Sequence, residues 1–201
     1  DTGSSNTDGI TNQSADLTFY GNAAVAANAL MEIFLNDVSQ GTMIADADGD
    51  WTMDFDLSHG NYSIAIKQFD VAGNESDLSW SKLFSVDLEA PDAPSGLDLA
   101  ADDDHGSSDT DNITNITSGL TVSGTGAANT YTEYFADGVS AGSTTSTSMG
   151  AFTLDIALSA GTSQVTAKQT ATAGNVSAAS APLSITVDTA APSAPSIPDL
   201  A

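Results

Sequence analysis

The chain of 201 residues has no cysteine and no arginine, and besides two histidines its only basic residues are Lys67, Lys82 and Lys168. Without cysteine it holds no disulfide, no thiolate metal site and no thiol nucleophile. Three lysines against 27 acidic residues leave a net charge of -24. A charge of that sign and size is repelled by phosphate backbones and anionic membranes, which excludes nucleic acid as a partner and argues against direct membrane insertion. No apolar run approaches 18 residues, and no signal-peptide pattern occurs. Neither His59 nor His105 stands in a catalytic motif, and there is no nucleophile elbow and no glycine-rich phosphate loop. Asp54 and Asp56 are the one pair suggesting glycoside hydrolysis, but alternate residues of a strand share its solvated face. The chain is not read as an enzyme.

What is present is a repeat. Residues 1–12, DTGSSNTDGITN, return 103 positions later as DHGSSDTDNITN at 104–115. Leu17, Phe19 and Gly21 match Leu120, Val122 and Gly124 at that offset. After a two-residue deletion, Glu32, Trp51, Leu57, Lys67, Gly73, Asn74, Asp87 and Pro91 match Glu133, Phe152, Leu158, Lys168, Gly174, Asn175, Asp188 and Pro192 at an offset of 101. A period near 100 residues is too long for helical solenoid units and suits an immunoglobulin-type sandwich.

Apolar alternation between turn residues places strands at 17–20, 32–35, 42–45, 51–57, 62–69 and 83–87. Turns fall at Asn36-Asp37, Asp48-Gly49, His59-Gly60 and Gly73-Asn74. The alanine-rich stretch from Ala23 to Met31 is expected to carry a short helical turn. The second repeat has fewer large apolar residues, so its core is expected to be the smaller. The fold class is therefore all-β, two tandem immunoglobulin-like β-sandwich domains joined by a short proline-containing linker. The expected domains are 1–94, 95–195 and the start of a further linker at 196–201. Pro91 with Pro94, and Pro192 with Pro195, stiffen the joints. PSIPDLA at 195–201 repeats PSGLDLA at 94–100, and Asp1 stands where Asp104 stands in the second copy, so both ends are expected to be cut from a longer array and the first strand to be truncated.

The order of the D-x-G-S-S-x-T-D-x-I-T-N loop, the Gly49-Asp50-Trp51 and Gly150-Ala151-Phe152 strand starts, the Ala72-Gly73-Asn74 and Ala173-Gly174-Asn175 turns and the V-D-x-x-A-P endings resembles bacterial immunoglobulin-like repeats of very large type I-secreted adhesins, the RTX and biofilm class. The likeness covers essentially the whole chain. It departs from the usual ending at Leu88-Glu89, and the second A-G-N turn lacks the aspartate present at Asp70. The resemblance implies an extracellular, cell-surface extender stiffened by calcium, a monomer whose partners are the neighbouring repeats of its own chain.

The acids are unevenly spread, as calcium loops would be and salt adaptation would not. Asp98, Asp102, Asp103, Asp104, Asp109 and Asp111 fall within 14 positions, whereas 112–182 holds only Glu133, Asp137 and Asp155. Calcium takes six to eight oxygens from carboxylates, carbonyls and water. Three groups of ligands are candidates. Asp1 and Asp8 bracket the first acidic loop, and Asp104 and Asp111 the second, with Asn12 and Asn115 as further ligands; the plain alternative is a loop of Asx turns. Asp46 and Asp48, with Asp70 and Asn74, form a second group if their loops meet, and a hairpin turn if they do not. The second repeat, with Ser146, Ser148 and Ala171 there, is expected to lack that group. Asp87, Asp98 and Asp188 form the third, at the junctions, with Asp102 and Asp109 in the same acidic run. The rival function is a carbohydrate or other ligand-binding module, for which Trp80, Tyr131 and Tyr134 are the aromatics available.

Overall fold

The structure, a computed structural model, describes residues 1–21 and 25–196. It divides into two compact units, Asp1–Ala90 with Ala171–Asn175, and Pro91–Thr170 with Val176–Ala201.

Among the described residues the first unit has seven strands: β1 (Ile10–Thr11), β2 (Leu17–Gly21), β3 (Leu30–Leu35), β4 (Val38–Ile44), β5 (Trp51–Phe55), β6 (Gly60–Phe69) and β7 (Lys82–Val86). They form a five-stranded sheet in the order β1-β7-β6-β3-β4 and a two-stranded sheet of β2 and β5. Trp51, Met53 and Phe55 turn inward while Thr52 and Asp54 stay exposed, as the period of two requires. They pack with Phe19 against Ile33, Leu35 and Ile64, which makes the pair of sheets a sandwich. The β3–β4 hairpin closes through Asn36 and Asp37, both at positive φ, the backbone a two-residue turn demands.

Among the described residues the second unit has eight strands: β8 (Ser95–Leu99), β9 (Ile113–Thr114), β10 (Ser118–Thr125), β11 (Tyr131–Ala136), β12 (Val139–Thr145), β13 (Ala151–Ala157), β14 (Gly161–Thr170) and β15 (Leu183–Val187). Its sheets run β12-β11-β14-β15-β9 and β13-β10-β8. Strand for strand it copies the first unit, with β8 added on the outer side of β10. All sandwich pairings are antiparallel except two: β1 runs parallel to β7 and β9 parallel to β15. Each of those short strands is the Ile-Thr that ends the acidic loop.

The matched glycines Gly21 and Gly124 are explained by close approach. A Cβ at Gly21 would stand 2.4 Å from Trp51 Nε1, and one at Gly124 2.6 Å from the Phe152 ring, so each glycine makes room for the aromatic that opens the facing strand.

Two expectations change. Ala26–Ala29 closes a tight turn, Ala29 N–H donating to the Ala26 carbonyl at 3.0 Å, and no helix forms among the described residues; Ala23 lies outside them. The second core is the more completely buried one, not the smaller. Leu99, Leu120, Val122, Tyr134, Phe152, Ile156, Leu158, Val165, Ala167, Ile185 and Val187 are all buried there, against Ile33, Leu35 and Ile64 in the corresponding cluster of the first unit. The reason is β8: Leu99 enters the core and Leu97 packs against it, so a flank is closed that stays open in the first unit.

Candidate functional site

The acidic loops are built the same way in both units. In the first, the Ile10 backbone N–H is shared between Asp1 Oδ1 at 3.1 Å and Asp8 Oδ1 at 3.0 Å, while Gly9 N–H donates to Asp1 Oδ2 at 3.1 Å. In the second, Ile113 N–H is shared between Asp104 Oδ1 and Asp111 Oδ1, both at 3.1 Å, while Asn112 N–H donates to Asp104 Oδ2 at 2.9 Å. One carboxylate thus grips two successive amides, and a second carboxylate converges on one of them. The shared amide donor draws both acids toward one point despite their repulsion. The grip sits directly before the two-residue strand, so it sets how the loop enters the sandwich. Asp104 is 4% exposed, and the other three are exposed or nearly so.

The remaining candidates are placed separately. Asp46 Oδ1 accepts from Asp48 N–H and Asp50 N–H, both at 2.9 Å, across the β4–β5 turn. The register of the hairpins puts Thr147 and Met149, not Ser146 and Ser148, at these places in the second unit. Thr147 Oγ1 there accepts from Met149 N–H at 3.3 Å and Ala151 N–H at 3.1 Å, so a hydroxyl replaces the carboxylate with the turn intact. That substitution marks position 46 as a turn cap. Asp70 caps its own turn, accepting from Ala72 N–H at 2.9 Å, Asn74 N–H at 2.8 Å and Asn74 Nδ2 at 2.7 Å. Asp46 and Asp50 line one shallow hollow, Asp70 and Asn74 another. Asp87 Oδ1 accepts from Glu89 N–H and lies 3.4 Å from His59 Nδ1, and Asp188 Oδ1 accepts from Ala190 N–H at 2.9 Å. Asp98 is exposed on β8 opposite Ser123, and Asp102 and Asp109 are exposed in the loop that follows. Among the described residues no three His, Cys, Asp or Glu side chains gather in a metal-holding group, at the acidic loops or at these turns.

The Asn74 side-chain amide, then its backbone N–H, holds the Asp70 carboxyl below its ordinary value of 3.8. A depressed carboxyl contributes stability that is present above the unfolded value and is lost as pH falls through the folded one. Asp70→Asn is therefore expected to shrink the loss of first-unit stability between about pH 5 and about pH 2, read as the urea midpoint at each pH.

Gln169 carries a polar role that sequence reading missed. It is fully buried, its Oε1 accepting from Ala127 N–H at 2.7 Å and its Nε2 donating to Thr132 Oγ1 at 2.9 Å and the Ala127 carbonyl at 3.3 Å. Gln68 Oε1 accepts from Ala26 N–H at 3.2 Å in the first unit. The signal was there: Gln169 continues the inward parity of Val165 and Ala167, as Gln68 continues Ile64 and Ile66. Of the aromatics proposed for sugar, Tyr134 is core, its hydroxyl donating to the Val122 carbonyl at 2.8 Å. Trp80 is 99% exposed and Tyr131 47% exposed, but they belong to different units.

Solved structures with the same fold include the fibronectin(III)-like modules of Clostridium thermocellum CbhA, 11% identical, covering 89% of this chain and 88% of that one, with a TM-score of 0.51. Domains FN1–FN3 of chicken CNTN1 are 12% identical over 90% of this chain and 63% of that one, also at 0.51. The BSP domain of a biofilm-associated protein is 19% identical over 90% of this chain and 29% of that one, at 0.35. Among curated proteins none matches. The sequence pattern of the bacterial Ig-like domain matches residues 1–88 and again 91–189, one match for each sandwich. The chain belongs to the bacterial Ig-like domain family.

Proposed function

We propose that the chain is an extender segment of a bacterial surface adhesin, in which successive Ig-like units span distance and carry load, stiffened by calcium in the acidic loops. The observation that carries this reading is the recurrence of one paired-carboxylate grip in both units, Asp1 with Asp8 and Asp104 with Asp111, while neither histidine lies in a recurring arrangement. The donors suit a hard cation, because they are carboxylate oxygens with hydroxyls and carbonyls beside them and no sulfur. Asp1 with Asp8, and Asp104 with Asp111, would hold the ion, and its charge would offset the repulsion between two acids that share one amide. Asp46 and Asp70 act as turn caps, with Asp48 and Asn74 donating to them, and Asp87, Asp98, Asp102, Asp109 and Asp188 act as charged surface. Display on the outside of the cell fits a chain that needs no disulfide because its loops are fastened by carboxylates.

Calorimetric unfolding in calcium and in chelator tests the reading. An ion that binds only the folded state at about 100 times its Kd adds about 2.7 kcal/mol, which moves a transition of this size by roughly 10 °C or more. Asp8→Asn with Asp111→Asn is expected to remove most of that shift. Superimposable transitions in calcium and chelator would refute calcium stiffening and leave the acids as salt-adapted surface.

A further inference from the structure

The outer face of the five-stranded sheet is apolar in the first unit and hydroxyl-bearing in the second. In β3 the buried residues are Met31, Ile33 and Leu35, so Leu30, Glu32 and Phe34 turn away from the core. Register carries Ile44 of β4 and Phe69 of β6 onto that outer face, each opposite Leu30, and Leu83 of β7 joins them opposite Ser63. Leu83 is 71% exposed, Ile44 67% and Leu30 41%. At the matching places in the second unit, Tyr131 stands opposite Thr145 and Thr170, and Ser184 opposite Gln164. All four counterparts carry a hydroxyl, yet the second sheet forms in the same strand order around a more completely buried core. The fold therefore does not need apolar side chains at these positions, and contiguous apolar surface left in water marks a contact site. A line of charge crosses the same face: Glu32 is directly opposite Lys67, whose Nζ donates to Glu75 Oε2 at 2.8 Å and lies 5.7 Å from the centre of the Phe34 ring. One lysine beside two glutamates makes this face far less anionic than a chain with 27 acids to three lysines is as a whole.

We propose that this face is a self-association surface, and that its occupant is the same face of a second copy of the chain. The arrangement of charge chooses that occupant. A two-fold axis running along the strands, midway between β3 and β6, lays Glu32 of each copy over Lys67 of the other, so that both facing pairs are opposite in sign. The same axis lays Leu30 of each copy over Phe69 of the other, because these two are also directly opposite across β3 and β6. A cationic partner would instead be drawn to the carboxylates elsewhere on the chain, away from the face that holds Lys67. Five strands at a spacing of about 4.8 Å make a face about 24 Å across, which is at the small end of protein interfaces and gives a transient dimer. The dimer departs from the monomer expected from sequence, and it does not depend on calcium.

Sedimentation equilibrium of the whole chain in chelator, from about 10 μM to about 1 mM, is expected to show a reversible equilibrium between monomer and dimer. Ile44→Thr with Leu83→Ser brings in the residues that the second unit uses at these places, so the sheet still forms, and is expected to weaken the dimer about 10-fold or more. Lys67→Glu and Glu32→Lys are each expected to weaken it too, since each alone sets like charges face to face. An equimolar mixture of those two variants is expected to regain the dimer, because every facing pair is then opposite in sign. A role of Lys67 confined to its own unit could not be rescued by a second molecule in this way. A chain that stays monomeric throughout would rule out the second copy as occupant. A dimer unmoved by Ile44→Thr with Leu83→Ser would place the contact on another surface and overturn the proposal. A mixture that associates no better than either charge variant alone would overturn the two-fold pairing.

Discussion

Asp104→Ala is expected to lower the unfolding free energy of the second unit by about 3 kcal/mol. The carboxylate is buried and accepts from Asn112 N–H, and it shares Ile113 N–H with Asp111. Hydrogen bonds to a charged group contribute about 1.5 to 3 kcal/mol each, and a donor left unpaired inside the fold costs about 1 to 3 kcal/mol. Part of the loss is returned because Asp111 no longer faces a second carboxylate. Asp111→Ala removes an exposed acceptor from an amide that Asp104 still holds, so its cost is expected to stay below about 1 kcal/mol. Urea unfolding of both variants separates the two roles. Equal losses would mean that the bidentate grip is not what fastens the loop.

Gln169→Leu is expected to cost the second unit about 2 to 4 kcal/mol, although the change preserves volume and adds apolar surface. Leucine strands the Ala127 N–H and takes the donor from the buried Thr132 Oγ1, while the Ala127 carbonyl keeps its bond from Ser146 Oγ at 2.6 Å; each group left without its partner costs about 1 to 3 kcal/mol. The matched Gln68→Leu has only the single bond from Ala26 N–H to lose, at a partly exposed site, and is expected to cost about 1 kcal/mol. Denaturant midpoints of the two variants measure the difference. A leucine that stabilised the second unit would show the buried amide to be dispensable.

The main strands were legible because they obey local rules. Alternation from Trp51 to Phe55 and from Tyr62 to Ile66 marks half-buried strands, and Asn36-Asp37 marks the hairpin between β3 and β4. The short β1 and β9 were not legible, since their Ile-Thr pairs sit in polar loops and acquire strand character only by pairing with β7 and β15, more than 70 residues away. β8 was hidden for a related reason. Ser95–Leu99 follows two prolines, contains glycine and aspartate, and has no β-branched residue, so only its docking on β10 makes it a strand. That omission also reversed the comparison of the cores, because residue size was visible and the covering strand was not.

The candidate site was legible in part. The copied loop singled out two pairs that the fold brings onto one amide each, Asp1 with Asp8 and Asp104 with Asp111, because repetition at 103 residues isolates acids that a structure uses twice. Nothing local distinguished Asp104 from Asp102 or Asp109 in the same acidic run; burial does, and burial depends on the sheets that surround the loop. Asp46 and Asp70 read as ligands because a carboxylate that caps a turn and one that binds a cation share the same short spacing. Thr147, in the place of Asp46, caps the matching turn with a hydroxyl.

Small-angle scattering of the chain in calcium and in chelator tests the account most directly, with the Asp8→Asn, Asp111→Asn double variant as reference. The account predicts a longer, narrower distribution of distances in calcium, collapse toward a broader one in chelator, and no response to calcium in the variant. Profiles that coincide in calcium and chelator for the unaltered chain, at a concentration where it is monomeric, would contradict it.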